Sequence, residues 1–261
     1  MRAAGRWLAE AAGQGARLAV LPENFAYMPL QERERLALAE DAPSAAGEPR
    51  GPIQAFLADS ANTHGLWLVG GTLALKSADP GHVYSACLVY DNHGALRARY
   101  DKLHLFDVDI PGRGERYRES ASTTPGQTTV VVATPFGQLG LAVCYDLRFP
   151  EMFRLMLDAG MTILAVPSAF TAATGRAHWE LLVRARAVEN LTPVIAAAQG
   201  GHHDNGRQTH GHSMIVDEWG RILDCRPEEG PGLVTARLEP AGQALRRREF
   251  PVLAQRRYRV Q

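Results

Sequence analysis

Apolar strand-like runs alternate with helix-like segments along this chain, and this alternation constrains its fold more than any other feature of the sequence. A helical pattern over residues 2–13 precedes the run ARLAVL, and a helix predicted over 52–64 precedes LWLVGG. Strands with apolar residues on both sides must be covered on both faces of a sheet. The sequence therefore predicts an α/β fold with helices outside the strands.

The remaining segments extend this pattern to the end of the chain. Hairpins are predicted where VYSACLVY and LRARY flank DNHG, and where TTVVVAT precedes QLGLAVC. Further elements are expected in chain order: a helix over 31–40, a helix begun by Pro150, the strand MTILAVPSAF, a helix over 176–190, the strand TPVIAAAQ, and short strands near 212–217, 220–225 and 232–238. One undivided domain over residues 1–261 is expected, ending in a basic tail.

The charge balance and the cysteine content restrict the partners and the compartment. Lys and Arg together number 28, as do Asp and Glu, so no net field is expected to attract nucleic acid or an acidic membrane. Charged residues interrupt each apolar stretch before it reaches the length of a membrane span or a secretion signal. The three cysteines form no CxxC pair, which favours a reducing compartment. We expect a cytoplasmic protein whose partner is a small molecule or a second copy of the chain.

Cys144 stands apart from the other two cysteines. It ends the apolar run GQLGLAVC, and Pro150 begins a helix soon after, so the backbone must turn sharply with amide groups near the sulfur. Cys87 and Cys225 lie within or near strands and are interpreted as small core residues. A thiol with a pKa of about 8.5 needs a base or a cation beside it to react at neutral pH.

A base and a cation are available at two other strand ends. Glu23 follows a strand in LPENF, and Lys102 follows another in DKLHLFDVD. Taken singly, each fits a solvated charge. Together, LPENF, DKLHLFDVD and CYDLRFPE resemble the three signature segments of the nitrilase, or carbon-nitrogen hydrolase, superfamily, and the resemblance extends over almost the whole chain.

This resemblance implies a four-layer αββα sandwich and an amidase with a catalytic triad of Glu23, Lys102 and Cys144. The context of Glu119, with Ser after it and Pro-Gly further on, matches a second family glutamate better than does Glu115. No cofactor and no metal are expected.

The same resemblance implies a mechanism through a covalent thioester. Cys144 attacks the amide carbon, and Glu23 accepts the thiol proton and later a proton of the attacking water. Lys102 and the amide N–H of Tyr145 stabilise the tetrahedral oxyanion. Glu119 orients Lys102 and the substrate.

The C-terminal half is similar to one branch of the superfamily. PSAFTAATGRAHWELLVRARAVEN, AAAQGGHH and HGHSMIVDEWG resemble the deaminated glutathione amidases, with the ω-amidases as the neighbouring branch. Both act on a 2-oxo acid amide, but the first releases Cys-Gly and the second releases ammonia. Substrate-binding residues are expected at Tyr145, Arg148, Phe170, Thr171, Arg176 and His178. An exposed salt bridge is the alternative for Arg148 and for Arg176, the latter expected in a loop before a helix.

Three other interpretations remain open. The segment HHDNGRQTHGH could hold a metal, but no cysteine accompanies its histidines, and solvated side chains in a loop are the alternative. A serine nucleophile at Ser213 is disfavoured because Ile215 replaces the glycine of a nucleophile elbow. A non-catalytic binding protein on the same scaffold is a further alternative, although it would not need Glu23, Lys102 and Cys144 together.

Two expectations concern the ends of the chain. Members of this superfamily usually begin with an apolar strand ahead of the first helix, whereas this chain begins within that helix. We therefore expect a sandwich that lacks its first N-terminal strand, and a higher melting temperature for an N-terminally extended chain. The C-terminal segment, about 240–261, is expected to pack at the interface of a homodimer or a higher homo-oligomer.

Overall fold

The computed structural model describes residues 1–29, 31, 33–110, 112, 114–204, 206–227 and 230–258. Its α-helices are α1 (Arg2–Gly13), α2 (Glu34–Ala37), α3 (Pro52–His64), α4 (Pro150–Asp158), α5 (Ala172–Asn190) and α6 (Pro240–Glu249). The strands are β1 (Leu18–Val20), β2 (Trp67–Val69), β3 (Leu73–Lys76), β4 (Val83–Tyr90), β5 (Leu96–Asp101), β6 (Asp107–Asp109), β7 (Arg116–Arg118), β8 (Val130–Thr134), β9 (Gly137–Leu141), β10 (Ile163–Ala165), β11 (Val194–Ala196), β12 (Gly200–His202), β13 (Gln208–His210), β14 (Met214–Val216) and β15 (Ile222–Cys225). Glu119–Ala121 and Cys144–Arg148 form 3₁₀ turns.

The strands form two larger sheets and two separate hairpins. The first sheet has the order β1-β2-β4-β3, with β5 also paired to β4. The second has the order β15-β14-β11-β10-β9-β8, and its β9, β10 and β11 run parallel to one another. The hairpins β6–β7 and β12–β13 lie outside both sheets. The motifs LPENF and CYDLRFPE follow the carboxyl ends of β1 and β9. Each of the two sheets therefore supplies part of the region in which these motifs lie.

Alternating side chains of the first sheet divide between two cores. In β4, Cys87 packs into the core shared with the second sheet, whereas Leu88 packs among residues of α1 and α3. The second sheet carries α4 and α5, whose Phe153 and Trp179 are fully buried. The layers are therefore helix, sheet, sheet and helix, which confirms the predicted αββα sandwich.

Two predicted elements differ from the structure. Among the described residues of the helix predicted over 31–40, which leave out residue 32, only α2 is α-helical. The strand predicted over 232–238 is absent from that segment, which has no regular structure. Thr235 donates its N–H to the side chain of Asp224 at 2.8 Å instead of to a strand. The segment borders a wide groove with α1 and β1 on its other side, so no neighbouring strand in the described part of the chain completes a ladder with it.

The predicted basic tail contains a helix. Pro240 begins α6, and its buried Gln243 donates from Nε2 to the carbonyls of Thr162 and Leu191 at 2.9 Å each. Arg247 on the next turn donates to the same carbonyl of Leu191 at 3.0 Å. The polar residues of this segment therefore dock the helix onto the body of the protein.

Several short strands were also not predicted, namely the apolar β3 and the hairpins β6–β7 and β12–β13. Each hairpin strand has three residues, and Gly and His in β12 and β13 give no apolar alternation. Within the described ranges, none of the helices has the length and apolar content that crossing a bilayer requires.

Candidate active site

Cys144 follows β9 in a strained turn of the backbone. Its φ angle is +49°, a left-handed conformation that costs a residue with a side chain on the order of 1 kcal/mol or more. Its N–H donates to the carbonyl of Pro167, beyond β10, at 2.9 Å. The sequence predicted a sharp turn here, and the structure shows one in the 3₁₀ turn that Cys144 begins.

A buried carboxylate holds this turn and the Lys102 segment together. Asp146 accepts hydrogen bonds from the N–H of Val143 at 2.8 Å and from the hydroxyl of Tyr100 at 2.6 Å. It also accepts one from the N–H of His104 at 3.1 Å and contacts that imidazole Nδ1 at 2.8 Å. Asp146 and His104 lie inside two of the motifs, yet the sequence does not reveal that they meet.

Glu23 is placed by a tight loop after β1. The next residue, Asn24, has a φ of +57° and donates its N–H to Thr72 Oγ1 at 2.9 Å. Gly71 approaches this loop so closely that a Cβ there would lie 2.2 Å from the carbonyl oxygen of Pro22. A side chain at position 71 would displace the loop that aims Glu23.

Lys102 joins two carboxylates in the interior. Its Nζ lies 2.9 Å from Glu23 Oε1 and 2.8 Å from Glu119 Oε2, and all three side chains are buried. Glu119 also accepts the N–H of Phe106 at 2.8 Å, and its other oxygen lies 3.4 Å from the guanidinium of Arg35. Glu119 therefore occupies the position against Lys102 that the sequence favoured over Glu115.

Burial and neighbouring charges set the protonation states in this cluster. Burial alone would lower the pKa of Lys102, but the Glu119 and Glu23 carboxylates outweigh it and raise that pKa well above its usual range. Burial also opposes ionisation of Glu119, yet Lys102 and Arg35 keep the pKa of Glu119 below its usual value. The pKa of the Cys144 thiol is raised well above its ordinary value, first by burial and then by Glu23, which hydrogen-bonds it. The resting site therefore contains a neutral thiol beside a charged Lys102–Glu119 pair.

A pocket opens onto the Cys144 sulfur. Its lining residues, among those described, are Glu23, Asn24, Arg35, Lys102, Phe106, Glu119, Cys144, Tyr145, Arg148, Ala169, Phe170, Thr171, Thr174 and Arg207. Four of the predicted substrate-binding residues, Tyr145, Arg148, Phe170 and Thr171, are in this set. The guanidinium carbon of Arg148 lies 5.4 Å from the ring centre of Phe170.

Two predicted substrate-binding residues lie elsewhere. Arg176 lies inside α5, not in a loop before it, and it lines the wide groove beside α1 instead of the pocket. His178 is also absent from the described lining of the pocket, but its Nδ1 lies 3.3 Å from the guanidinium of Arg148. Among the lining residues, the sequence did not single out Arg35 or Arg207, because neither lies in one of the three motifs.

The histidine segment has structural contacts of its own. His210 and His212 stack with ring centres 4.0 Å apart, and burial first, then His212 and Arg176, lower the pKa of His210 to about 4. His203 contacts the hydroxyl of Thr209 at 2.7 Å. Within the part of the chain that the structure describes, no three His, Cys, Asp or Glu side chains are grouped to hold a metal ion.

Ser213 has a structural contact of its own. It accepts the N–H of Ala198 at 2.9 Å, which links the segment after β11 to the residue that precedes β14. It does not line the pocket that contains Cys144 among the described residues.

Comparison with known families identifies the class of protein. The family described as "Carbon-nitrogen hydrolase" matches residues 2–247, and the chain belongs to this family. The protein is therefore an enzyme, a carbon-nitrogen hydrolase, and the family membership predicted from the motifs is confirmed.

Relatives and solved structures refine this assignment. The chain is 43% identical over 252 residues to the deaminated glutathione amidase of Homo sapiens, covering 95% of this chain and 74% of that one. It is 44% identical over 209 residues to the enzyme of the same name from Yersinia enterocolitica, covering 80% and 73%. The crystal structure of the C. elegans NitFhit protein superimposes with a TM-score of 0.87 at 37% identity, covering 98% of this chain and 60% of that longer one. An amidase from Nesterenkonia, in which acrylamide has added to the active site cysteine, superimposes at 0.72 and 28% identity, covering 95% and 89%.

Proposed function

We propose that this protein hydrolyses the amide bond of a small 2-oxo acid amide, and that deaminated glutathione is its substrate. The observation that carries this proposal is the buried contact of Lys102 with both Glu23 and Glu119 beside the Cys144 thiol. A base, a cation and a nucleophile within one pocket are the groups that acyl transfer requires.

The first half of the reaction forms a thioester. Glu23 accepts the proton of the Cys144 thiol as the sulfur attacks the amide carbonyl carbon, and the carbonyl oxygen becomes an oxyanion. Lys102 and the N–H of Tyr145 stabilise this oxyanion, and each such donor contributes about 3 kcal/mol in well-studied enzymes. The C–N bond then breaks, Glu23 returns its proton to the leaving nitrogen, and the acyl group remains on sulfur.

The second half releases the acid. Glu23 accepts a proton from water, whose oxygen attacks the thioester carbon, and the C–S bond breaks. Glu23 then passes this proton to the departing sulfur, which restores the neutral thiol and the carboxylate of the resting site. Arg35 keeps Glu119 ionised, and Glu119 keeps Lys102 charged and positioned through both halves.

Two findings support the choice of substrate. Relatives that are 41–44% identical to this chain carry the name deaminated glutathione amidase. Arg148 lines the pocket, and a guanidinium offers the paired donors that a carboxylate of a 2-oxo acid would bind. An ω-amidase that acts on α-ketoglutaramate is the alternative, since this substrate has the same acyl group.

The test is a turnover experiment with both amides. Wild-type protein and a Cys144→Ala variant are incubated separately with deaminated glutathione and with α-ketoglutaramate, and 2-oxoglutarate and ammonia are measured. With deaminated glutathione, we expect the wild type to release 2-oxoglutarate without ammonia. We expect Cys144→Ala to release no 2-oxoglutarate. Turnover by Cys144→Ala would refute the thiol mechanism, and a strong preference for α-ketoglutaramate would assign the protein to the ω-amidases.

We further propose a single domain that forms a homodimer in the cytoplasm. The free thiols of Cys87, Cys144 and Cys225 suit a reducing compartment. Exposed apolar side chains support association: Val188 on α5 abuts the turn at Gly220, and the neighbouring Trp219 ring lies 5.4 Å from that of Phe250. The C-terminal segment, about 240–261, contributes Phe250 to this surface.

A further inference from the structure

We infer that the β12–β13 hairpin forms one wall of the pocket and helps to select the substrate. Where the substrate has two carboxylates, Arg207 of this hairpin binds the carboxylate of the leaving dipeptide. This inference rests on the proposed function and extends it to the half of the substrate that departs. It assigns a role to the segment HHDNGRQTHGH, which the metal interpretation does not explain.

The hairpin is attached to the pocket by its backbone. The N–H of His210 donates to the carbonyl of Phe170 at 2.9 Å, and Thr209 forms an antiparallel bridge with Thr171. Phe170 and Thr171 both line the pocket. Within the hairpin, His203 donates its N–H to the carbonyl of Arg207 at 2.9 Å, which closes the turn. The position of Arg207 relative to Cys144 is therefore determined by hydrogen bonds.

Arg148 and Arg207 lie at opposite ends of an aromatic row. The guanidinium carbon of Arg148 is 5.8 Å from the ring centre of Tyr145, and that of Arg207 is 5.1 Å from the ring centre of Tyr117. The Phe106 ring joins the two ends, because its centre is 5.1 Å from that of Tyr145 and 5.0 Å from that of Tyr117. Two carboxylates of one extended molecule could thus be bound at separate points.

The charge of the pocket lining favours a dianion. Its described members include four cationic side chains, Arg35, Lys102, Arg148 and Arg207, and two carboxylates, Glu23 and Glu119. Lys102 contacts both carboxylates, and Arg35 contacts Glu119, so these four charges balance one another. The other two cationic side chains of the described lining, Arg148 and Arg207, match the two carboxylates of a dianionic substrate in number.

The geometry of the proposed substrate assigns one carboxylate to each arginine. In deaminated glutathione the 2-oxo acid carboxylate is nearer the scissile carbon, and the carboxylate of Cys-Gly is farther from it. Arg148 belongs to the same 3₁₀ turn as Cys144, whereas Arg207 lies on the hairpin beyond the aromatic row. The nearer carboxylate therefore pairs with Arg148 and the farther one with Arg207.

A substrate series tests this assignment. KM and kcat are measured for deaminated glutathione, for its analogue with the glycine carboxylate converted to an amide, and for α-ketoglutaramate. Arg207→Gln should raise KM roughly ten- to hundredfold for deaminated glutathione alone. It should leave KM for the two monoanionic amides within about twofold, and Arg207→Lys should recover part of the loss. Arg116→Gln is the matched control, because Arg116 is exposed beside Tyr117 and pairs with Asp109 at 3.4 Å.

Binding to an inactive protein separates this inference from the proposed function. Calorimetry of Cys144→Ala, with and without Arg207→Gln, measures the affinity for deaminated glutathione without turnover. If the wild type hydrolyses none of the three amides but binding still depends on Arg207, the proposed function falls and the carboxylate site stands. An equal loss of affinity for all three compounds, or no loss for deaminated glutathione, would overturn the inference, since Arg207 would then have a structural role alone.

Discussion

Burial determines the protonation of the Cys144 thiol before substrate arrives. The side chain is 8% exposed, and Glu23 and Lys102 act on it with opposite signs. The pKa of this thiol is raised because burial and Glu23 prevail, so the proton must leave during the reaction. In the proposed mechanism this places the proton transfer to Glu23 within the chemical step and makes turnover dependent on that base.

The raised thiol pKa predicts a loss of stability at alkaline pH. The folded protein keeps the Cys144 thiol protonated, whereas the unfolded chain ionises it above about pH 8.5. The stability that this thiol contributes is therefore fully present below about pH 8.5 and is lost as pH rises towards the folded pKa. Between pH 7 and pH 10 we expect wild type to lose about 2 kcal/mol relative to Cys144→Ser, which does not titrate there. Urea unfolding at both pH values measures this difference. A constant difference would show that the folded thiol ionises normally.

Arg35 is predicted to position Glu119 through charge. Lys102 and Arg35 lower the pKa of Glu119, so Arg35→Gln should raise it. A protonated Glu119 holds Lys102 less well, and the acidic limb of kcat/KM should move upward by roughly one pH unit. Arg33→Gln, two residues earlier and exposed, is the control. Equal pH profiles for Arg35→Gln and the wild type would limit Arg35 to packing.

Individual elements differ in how far the sequence reveals them. The bounds of α3 could be predicted because Pro52 occupies its first turn and Gly65 ends it in a left-handed conformation. The strands β2 and β4 could likewise be predicted from their own apolar residues. By contrast, α6 is stabilised by Gln243 and Arg247, polar side chains whose partners lie far away in the sequence.

The same distinction holds within the candidate site. Glu23, Lys102 and Cys144 lie in recognisable motifs at strand ends, and the structure brings them together. The contact of Arg207 with the pocket depends on the pairing of β12 with β13 and on their attachment to Phe170. No local pattern in the sequence encodes that attachment, so it emerges only from the folded chain.

At the level of elements, Arg247 is predicted to dock α6. Its guanidinium donates to Thr192 Oγ1 at 2.7 Å and to the carbonyls of Leu191, Met161 and Asn190 at 3.0–3.3 Å. Arg247→Ala should lower the free energy of unfolding by about 2–3 kcal/mol, because buried acceptors lose a charged donor. Arg248→Ala, exposed on the same helix, should change it by less than about 0.5 kcal/mol. Similar unfolding curves for both variants would contradict the docking role.

At the level of the whole molecule, the apolar surface around Trp219 predicts the mode of association. Leu181 and Val188 lie seven residues apart on α5 with 67% and 48% exposure, and Trp219 is 51% exposed. Val188→Asp should shift the protein from dimer to monomer in sedimentation velocity, because it buries a charge at the interface. Leu38→Asp, at an exposed apolar residue outside this surface, should not change the sedimentation coefficient. A wild type that sediments as a monomer would refute the proposed dimer.

The division of the proposed triad between the two sheets has a consequence for how the chain acquires its reactivity. Glu23 and Lys102 follow strands of the first sheet, and Cys144 follows a strand of the second. Neither half of the sandwich alone contains both the thiol and its base. During synthesis Cys144 therefore emerges after Glu23 and Lys102 but contacts them only when the two sheets dock. The nascent chain carries an ordinary thiol and is not yet an active enzyme.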